Sequence, residues 1–91
     1  VRADGLETVD TASAQLIVLN PPFHVGAAVH TGLAERLFAD AARVLEPGGE
    51  LWCVWNTPLN YRPILDKLIG STKQVQRTAK FTVTSSRRRT H

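Results

Sequence analysis

The stretch QLIVLNPPF, residues 15–23, places a short apolar run directly before an Asn-Pro-Pro turn. Four consecutive apolar residues are typical of a strand that is buried on both faces of a parallel sheet. Two successive prolines lack backbone donors and have a fixed φ, so regular strand pairing has to stop at Pro21. The pattern therefore predicts a buried parallel strand over 15–19, with Asn20 at its carboxyl end and a loop from Phe23 onward.

The residues after this loop alternate between helical and strand patterns. Apolar side chains recur at steps of three and four from about residue 31, and Pro47-Gly48-Gly49 is typical of a helix end. The predicted elements are a helix over 31–45, a buried strand over 50–55, a shorter helix over 61–69, and an antiparallel hairpin of 73–77 with 80–86. We therefore expect an α/β fold: a partial Rossmann-like sheet of parallel strands and helices, with the antiparallel hairpin at its edge.

Length and composition limit the chain to one small domain. It has 91 residues, of which 43% are hydrophobic and 21% charged, and this composition excludes wholesale disorder. The longest apolar runs are far shorter than the roughly 18–20 residues of a membrane span. The formal charge of +3 equals that of the run Arg87, Arg88 and Arg89. We therefore expect a neutral body over residues 1–86 and a basic, disordered tail over 87–91.

The only cysteine, Cys53, cannot form an intramolecular disulfide, and its apolar neighbours predict a buried position. This favours a reducing compartment, and we expect a cytoplasmic protein.

The aromatic residues of the second strand and second helix are predicted to be structural. Trp52 and Trp55 are predicted to pack on sheet faces that helices cover, and Tyr61 to pack within the second helix.

The Asn-Pro-Pro-Phe segment has the chemistry of a clamp for an amino group. The side-chain oxygen of Asn20 and the carbonyl of Pro21 can accept the two hydrogens of a planar exocyclic amine, which makes its nitrogen a better nucleophile. Phe23 offers a face on which a flipped base stacks. Such a clamp suits methyl transfer from a sulfonium donor by in-line displacement, which depends on alignment more than on a strong base. The tripeptide alone is equally compatible with a simple strand-ending turn.

These residues resemble the Asn-Pro-Pro-aromatic signature of class I S-adenosylmethionine-dependent methyltransferases. The likeness to the "methyltransferase small domain" group, which methylates guanine amines in ribosomal RNA, extends over residues 4–87. The segments that carry it are NPPFH at 20–24, Gly26, LEPGGEL at 45–51, Asn56, Leu59, Tyr61, Leu65, residues 69–70 and residues 81–83. The resemblance implies S-adenosylmethionine as cofactor and ribosomal RNA or a ribosomal subunit as partner.

The resemblance also implies roles for individual residues. The catalytic, amine-binding residues are Asn20, Pro21, Pro22 and Phe23. The cofactor contacts are Asp4 and Asn20, and the substrate contacts are Phe23 and His24. Asn56 is a further candidate for substrate contact because it lies at the carboxyl end of the second predicted strand, on the ligand side of the sheet. Two assignments have a plain alternative, since His24 is also compatible with a surface position and Asp4 with an ordinary turn. No metal site is implied.

One feature of the family is absent from these 91 residues, namely the glycine-rich loop that holds the methionine and ribose of the cofactor. Because the chain also lacks an initial methionine, we expect it to be the C-terminal, substrate-binding half of a larger domain, inactive on its own. An open sheet edge would then favour pairing with a second copy of the chain.

Two alternatives to guanine methylation remain open. One is a methyltransferase whose acceptor amine belongs to adenine or to a protein glutamine, and the other is a non-catalytic module that binds RNA or protein.

Overall fold

The described part of the chain alternates strands and helices in the predicted order. The computed structural model describes residues 11–20 and 27–90. The elements are β1 (Ala14–Leu19), α1 (Ala27–Val44), β2 (Leu45–Asn56), a 3-10 helix (Thr57–Leu59), α2 (Arg62–Leu68), β3 (Thr72–Arg77) and β4 (Phe81–Arg87). None of the described helices is long and apolar enough to cross a membrane.

The strands form one mixed sheet with the order β1-β2-β4-β3. β1 and β2 are parallel, and Leu19 lies opposite Cys53. β4 pairs antiparallel with both β2 and β3. Because β1 and β2 are parallel, their carboxyl ends lie at the same edge of the sheet. The predicted α/β sheet with an antiparallel C-terminal hairpin is confirmed.

The core lies between one face of the sheet and the two helices. α1 contributes a stripe of buried residues at helical spacing: Ala34, Leu37, Phe38, Ala41 and Val44. The sheet contributes alternate strand residues: Ile17, Leu19, Leu51, Cys53 and Trp55. α2 adds Leu65 and is followed by buried Ile69. Each large apolar side chain that is fully buried in this way stabilises the fold by about 1.5–3 kcal/mol.

The opposite face of the sheet carries an apolar patch that no described element covers. Leu16 and Val18 are 47% and 43% exposed. Together with half-buried Trp52 and Val54 they line a shallow hollow. The prediction for Trp52 is therefore wrong, while Trp55 is buried as predicted. Strand residues three apart point to opposite faces, so the two tryptophans cannot share the helix-covered side.

The Pro-Gly-Gly segment lies inside β2 rather than ahead of it. The register of β1 with β2 is interrupted there, since Ala14 lies opposite Leu45 while Leu16 lies opposite Glu50. Gly48 has a φ of 83°, which favours glycine. The segment therefore begins the strand with an irregular turn, in addition to following the end of α1 at Val44.

The arginines expected in a disordered tail are bonded to the body of the domain. Arg87 is the last residue of β4. The backbone N–H of Arg88 donates to the Gly49 carbonyl at 2.8 Å, and its carbonyl accepts from the Gly48 N–H at 3.0 Å. The N–H of Arg89 donates to the Ile69 carbonyl at 3.2 Å. These bonds join residues 88 and 89 to the turn within β2 and to the residue that follows α2.

Candidate active site

Asn20 lies at the carboxyl end of β1, directly after Leu19, and it is exposed. The edge that it occupies is formed by the ends of two parallel strands, β1 and β2. In open α/β sheets, ligands bind outside the carboxyl ends of the strands. An exposed amide at this position is accessible to a ligand.

Asn56 ends β2 at the same edge. It precedes the 3-10 helix, yet its side chain makes no capping hydrogen bond. Its Oδ1 atom is buried and has no hydrogen-bond partner in the part of the chain that the structure describes. A buried acceptor without a donor costs about 1–3 kcal/mol. A bound N–H or O–H group would remove this cost, so Asn56 is a candidate for substrate contact.

Asn20 and Asn56 are the two predicted site residues that the structure describes. The parallel register of β1 and β2 brings them to one edge of the sheet. The other predicted site residues lie outside the described ranges 11–20 and 27–90: Asp4, Pro21, Pro22, Phe23 and His24.

Aromatic side chains pack beneath this edge on the helix-covered face. The ring of Tyr61 lies 5.5 Å from that of Phe38, in a T-shaped arrangement, and 5.8 Å from that of Trp55. Trp55 Nε1 donates to Thr84 Oγ1 at 3.2 Å. Tyr61 is 2% exposed, so it packs in the core as predicted and does not wall an open pocket.

The two ionisable groups in this core are kept neutral. Burial raises the pKa of the Cys53 thiol far above its ordinary value, so the thiol is not a nucleophile at neutral pH. Burial, and secondarily the neighbouring Cys53, raises the pKa of Tyr61. Among the described residues, no group of three or more His, Cys, Asp or Glu side chains is placed to hold a metal ion.

A cleft of about 370 Å³, which we call the basic cleft, adjoins the same end of β2. It lies on the helix-covered face, where Trp55 is paired with Thr82 of β4. Its lining residues are Trp55, Thr57, Asn60, Arg62, Gln74, Arg77, Thr82 and Thr84. Two of these are cationic and none is acidic, so the cleft favours an anionic group.

Sequence reasoning missed this cleft because it assigned the basic character to the run 87–89 alone. Residues 51–91 contain eight Lys or Arg side chains and a single acidic one, Asp66. Residues 1–50 contain three basic and seven acidic side chains. Counting charges by segment would have shown that the whole C-terminal part is cationic.

Comparison with known proteins places the chain in a family. The sequence profile of the methyltransferase small domain matches residues 1–85. The chain is 44% identical, over 80 residues, to the ribosomal RNA large subunit methyltransferase G of Streptomyces avermitilis; the match covers 88% of this chain and 21% of that protein. It is 43% identical, over 83 residues, to the enzyme of the same name from Stutzerimonas stutzeri, with 91% and 22% covered. The chain thus spans about a fifth of the length of these relatives.

A structural comparison gives the same fold. The chain superposes on a 16S rRNA N2 methyltransferase from T. thermophilus, solved in complex with AdoMet and guanosine, with a TM-score of 0.74 and 21% sequence identity. The alignment covers 89% of this chain and 22% of that one. The fold and the family resemblance predicted from the sequence are both confirmed. The chain belongs to the methyltransferase small domain family.

Proposed function

We propose that the complete protein carrying this chain transfers a methyl group from S-adenosylmethionine to the exocyclic amine of a guanine in ribosomal RNA. The observation that supports this proposal best is the placement of Asn20, an exposed amide at the shared carboxyl edge of β1 and β2. The matched relatives are named as ribosomal RNA methyltransferases. A ribosomal RNA substrate also agrees with a cytoplasmic location of the protein, because ribosomes are assembled there.

The proposed contribution of Asn20 is to orient the acceptor amine. Its Oδ1 accepts one amine hydrogen, and the Pro21 carbonyl accepts the other, which directs the nitrogen lone pair toward the donor. We assign Pro22 to holding this loop rigid and Phe23 to stacking on the base, with His24 as a further substrate contact. Asn56 supplies a further acceptor at the same edge for another N–H or O–H group of the substrate, and its Oδ1, which has no partner among the described residues, supports that role.

The cofactor supplies the methyl group when it is bound. An exposed amide at Asn20 suits a position between donor and acceptor, and we propose Asp4 as a partner of the adenine amine. Asn20 and Asn56 lie at the described edge, on the side proposed for the acceptor base. Residues 1–91 contain no glycine-rich loop that would hold the methionine and ribose of the cofactor. We therefore expect this chain alone to bind S-adenosylmethionine weakly and to show no turnover.

The test uses the complete open reading frame that encodes these residues. Purified protein is incubated with labelled S-adenosylmethionine and either free ribosomal RNA, ribosomal subunits or a glutamine-containing protein substrate, and the methylated product is identified by mass spectrometry. We expect N2-methylguanosine in RNA. Asn20→Ala should lower the rate at saturating RNA at least about 100-fold, because it removes one of the two acceptors that align the amine.

Gln15→Ala is the matched control, since it removes an exposed amide from the other end of the same strand. It should leave the rate unchanged. An Asn20→Ala enzyme that methylates as fast as the unsubstituted one contradicts the amine clamp. Methylation of adenine or of a protein glutamine would keep the clamp but contradict the assigned acceptor.

We further propose that β1 pairs with a second copy of the chain, because it is the edge strand of the described sheet. Sedimentation velocity of the 91-residue chain should then show a monomer–dimer equilibrium. A monomer at every concentration contradicts this arrangement.

A further inference from the structure

Two arginines reach the basic cleft from different elements. Arg62 is the first residue of α2, and Arg77 is the last residue of β3. The sheet holds Arg77 at the cleft, since it lies opposite Thr82, a residue that also lines the cleft. The cleft thus combines charges that are 15 positions apart in the sequence.

The unused N–H donors of these arginines indicate that the cleft binds an anion from outside the chain. Arg62 Nη2 donates to the Thr72 carbonyl at 3.2 Å, which fixes the guanidinium while leaving other N–H groups unused. The carboxylate on the same helix, Asp66, accepts from the Thr72 backbone N–H at 3.0 Å. Within the described residues, neither Arg62 nor Arg77 forms an ion pair with a carboxylate.

The cleft also carries neutral donors and a fixed wall. The side chains of Asn60 and Gln74 are exposed and line it, and both have amide N–H₂ groups. Thr57 Oγ1 donates to the Thr78 carbonyl at 2.8 Å and is bonded to Thr82 Oγ1 at 2.8 Å. These bonds hold the hydroxyl wall in place, so the site that the arginines face is preformed.

The position of the cleft suggests which anion it holds. Thr57 and Trp55, which line it, are the chain neighbours of Asn56 on either side. Asn56 ends β2 at the edge proposed for the target base, so the cleft lies beside that edge. A nucleotide adjacent to that base carries a phosphate, which binds guanidinium groups in a bidentate manner.

We propose that the basic cleft binds a backbone phosphate of the RNA, next to the nucleotide that is methylated, through Arg62 and Arg77. This inference rests on the proposed function, since it assumes an RNA acceptor. Phosphate contacts fix the register of a nucleic acid without reading its sequence. Arg62 and Arg77 are therefore positioning residues, and the choice of base is left to the edge with Asn20 and Asn56.

The test measures how RNA binding by the 91-residue chain depends on salt. A fluorescently labelled single-stranded RNA that contains guanosine is titrated with protein at several salt concentrations, and binding is followed by anisotropy. Each phosphate contact to a single strand contributes about 0.7 to the slope of log K against log salt. The double variant, Arg62→Gln with Arg77→Gln, should lower the slope by about 0.7, because it removes the one proposed phosphate contact, and each single variant should lower it by part of that amount. Near physiological salt, the double variant should therefore bind the RNA about fourfold more weakly.

Arg36→Gln is the matched control, because Arg36 is an exposed arginine on α1 and does not line the cleft. It should leave the slope unchanged, and circular dichroism should show that all variants are folded. Three results would overturn the proposal: no salt-dependent RNA binding, an equal fall in slope for Arg36→Gln, or an unchanged slope for both cleft variants. An equal dependence of poly-glutamate binding on Arg62 and Arg77 would also overturn it, since the cleft would then accept any carboxylate.

The two proposals fail in different ways. Asn20→Ala should abolish methyl transfer by the complete protein and leave the salt slope of RNA binding intact. The double variant, Arg62→Gln with Arg77→Gln, should raise the KM for RNA of the complete protein about fourfold and leave kcat unchanged. If the cleft variants leave the salt slope unchanged while Asn20→Ala still abolishes methylation, only the cleft proposal is refuted. If Asn20→Ala still methylates RNA while the cleft variants lower the salt slope, only the proposed function is refuted.

Discussion

Asn56 and Thr84 lead to opposite expectations for the stability of the domain. Thr84 is fully buried, and its Oγ1 accepts a hydrogen bond from Trp55 Nε1 at 3.2 Å. Asn56 has a buried Oδ1 without a partner in the described residues. Thr84→Val keeps the shape of the side chain and leaves the Trp55 donor unpaired, which should cost about 1–2 kcal/mol.

Asn56→Ala removes an acceptor that is already unpaired. Relief of the buried oxygen is worth about 1–3 kcal/mol, and loss of side-chain packing offsets about 1 kcal/mol of this gain. We therefore expect a free energy of unfolding that is unchanged or up to about 2 kcal/mol higher. For a domain of this size, 1 kcal/mol shifts Tm by about 4–8 °C, so the two variants should differ by at least about 4 °C.

Urea and thermal unfolding of the 91-residue chain, followed by circular dichroism, give both quantities. A fall in stability of more than about 1 kcal/mol in Asn56→Ala would refute the expectation, because Oδ1 would then have a structural partner. In the complete protein the same variant should bind RNA less well. A residue that weakens the fold and strengthens binding is typical of a functional site.

Two further predictions concern glycine and cysteine. Gly70→Ala should destabilise the chain by at least about 2 kcal/mol, because Gly70 has a φ of 149° and a Cβ there would meet the Arg87 carbonyl oxygen. Gly32→Ala in α1 should stabilise the chain by about 0.5–1 kcal/mol, because a Cβ there would have no described atom within 4 Å beyond its own stretch of helix. Thermal melting distinguishes the two outcomes. The free energy of unfolding should fall by about 1.4 kcal/mol per pH unit above the ordinary thiol pKa of 9.0, because unfolded Cys53 loses its proton there and folded Cys53 keeps it. In urea unfolding, Cys53→Ala should show a shallower fall between about pH 9 and 10. Identical slopes for the two proteins would contradict the expectation.

Local patterns were sufficient to predict the elements of the fold. The spacing of Leu37, Phe38 and Ala41 alone places one face of α1 in the core. The apolar run before Asn20 likewise predicts a strand, and β1 ends at Leu19. Such patterns depend on neighbours within a few positions, which the sequence shows directly.

The features that were missed depend on contacts between distant parts of the chain. Arg88 and Arg89 have the composition of a solvated tail, yet their backbone groups pair with Gly49 and Ile69. No local pattern indicates such pairing. The basic cleft has the same origin, because the turn after β2 and the hairpin of β3 and β4 bring Arg62 and Arg77 to one place.

The two sides of the carboxyl edge of β2 therefore suit different parts of one substrate. On the open face, Asn56 Oδ1 is an acceptor that has no donor among the described residues, and such an acceptor distinguishes groups by their hydrogen-bonding pattern. On the helix-covered face, Arg62 and Arg77 offer charge, which attracts any polyanion equally. If both act on RNA, cleft variants should weaken binding to all sequences by the same factor, while Asn56 variants should change the preference among bases. A cleft variant that altered base preference would mean that the two faces cannot be separated in this way.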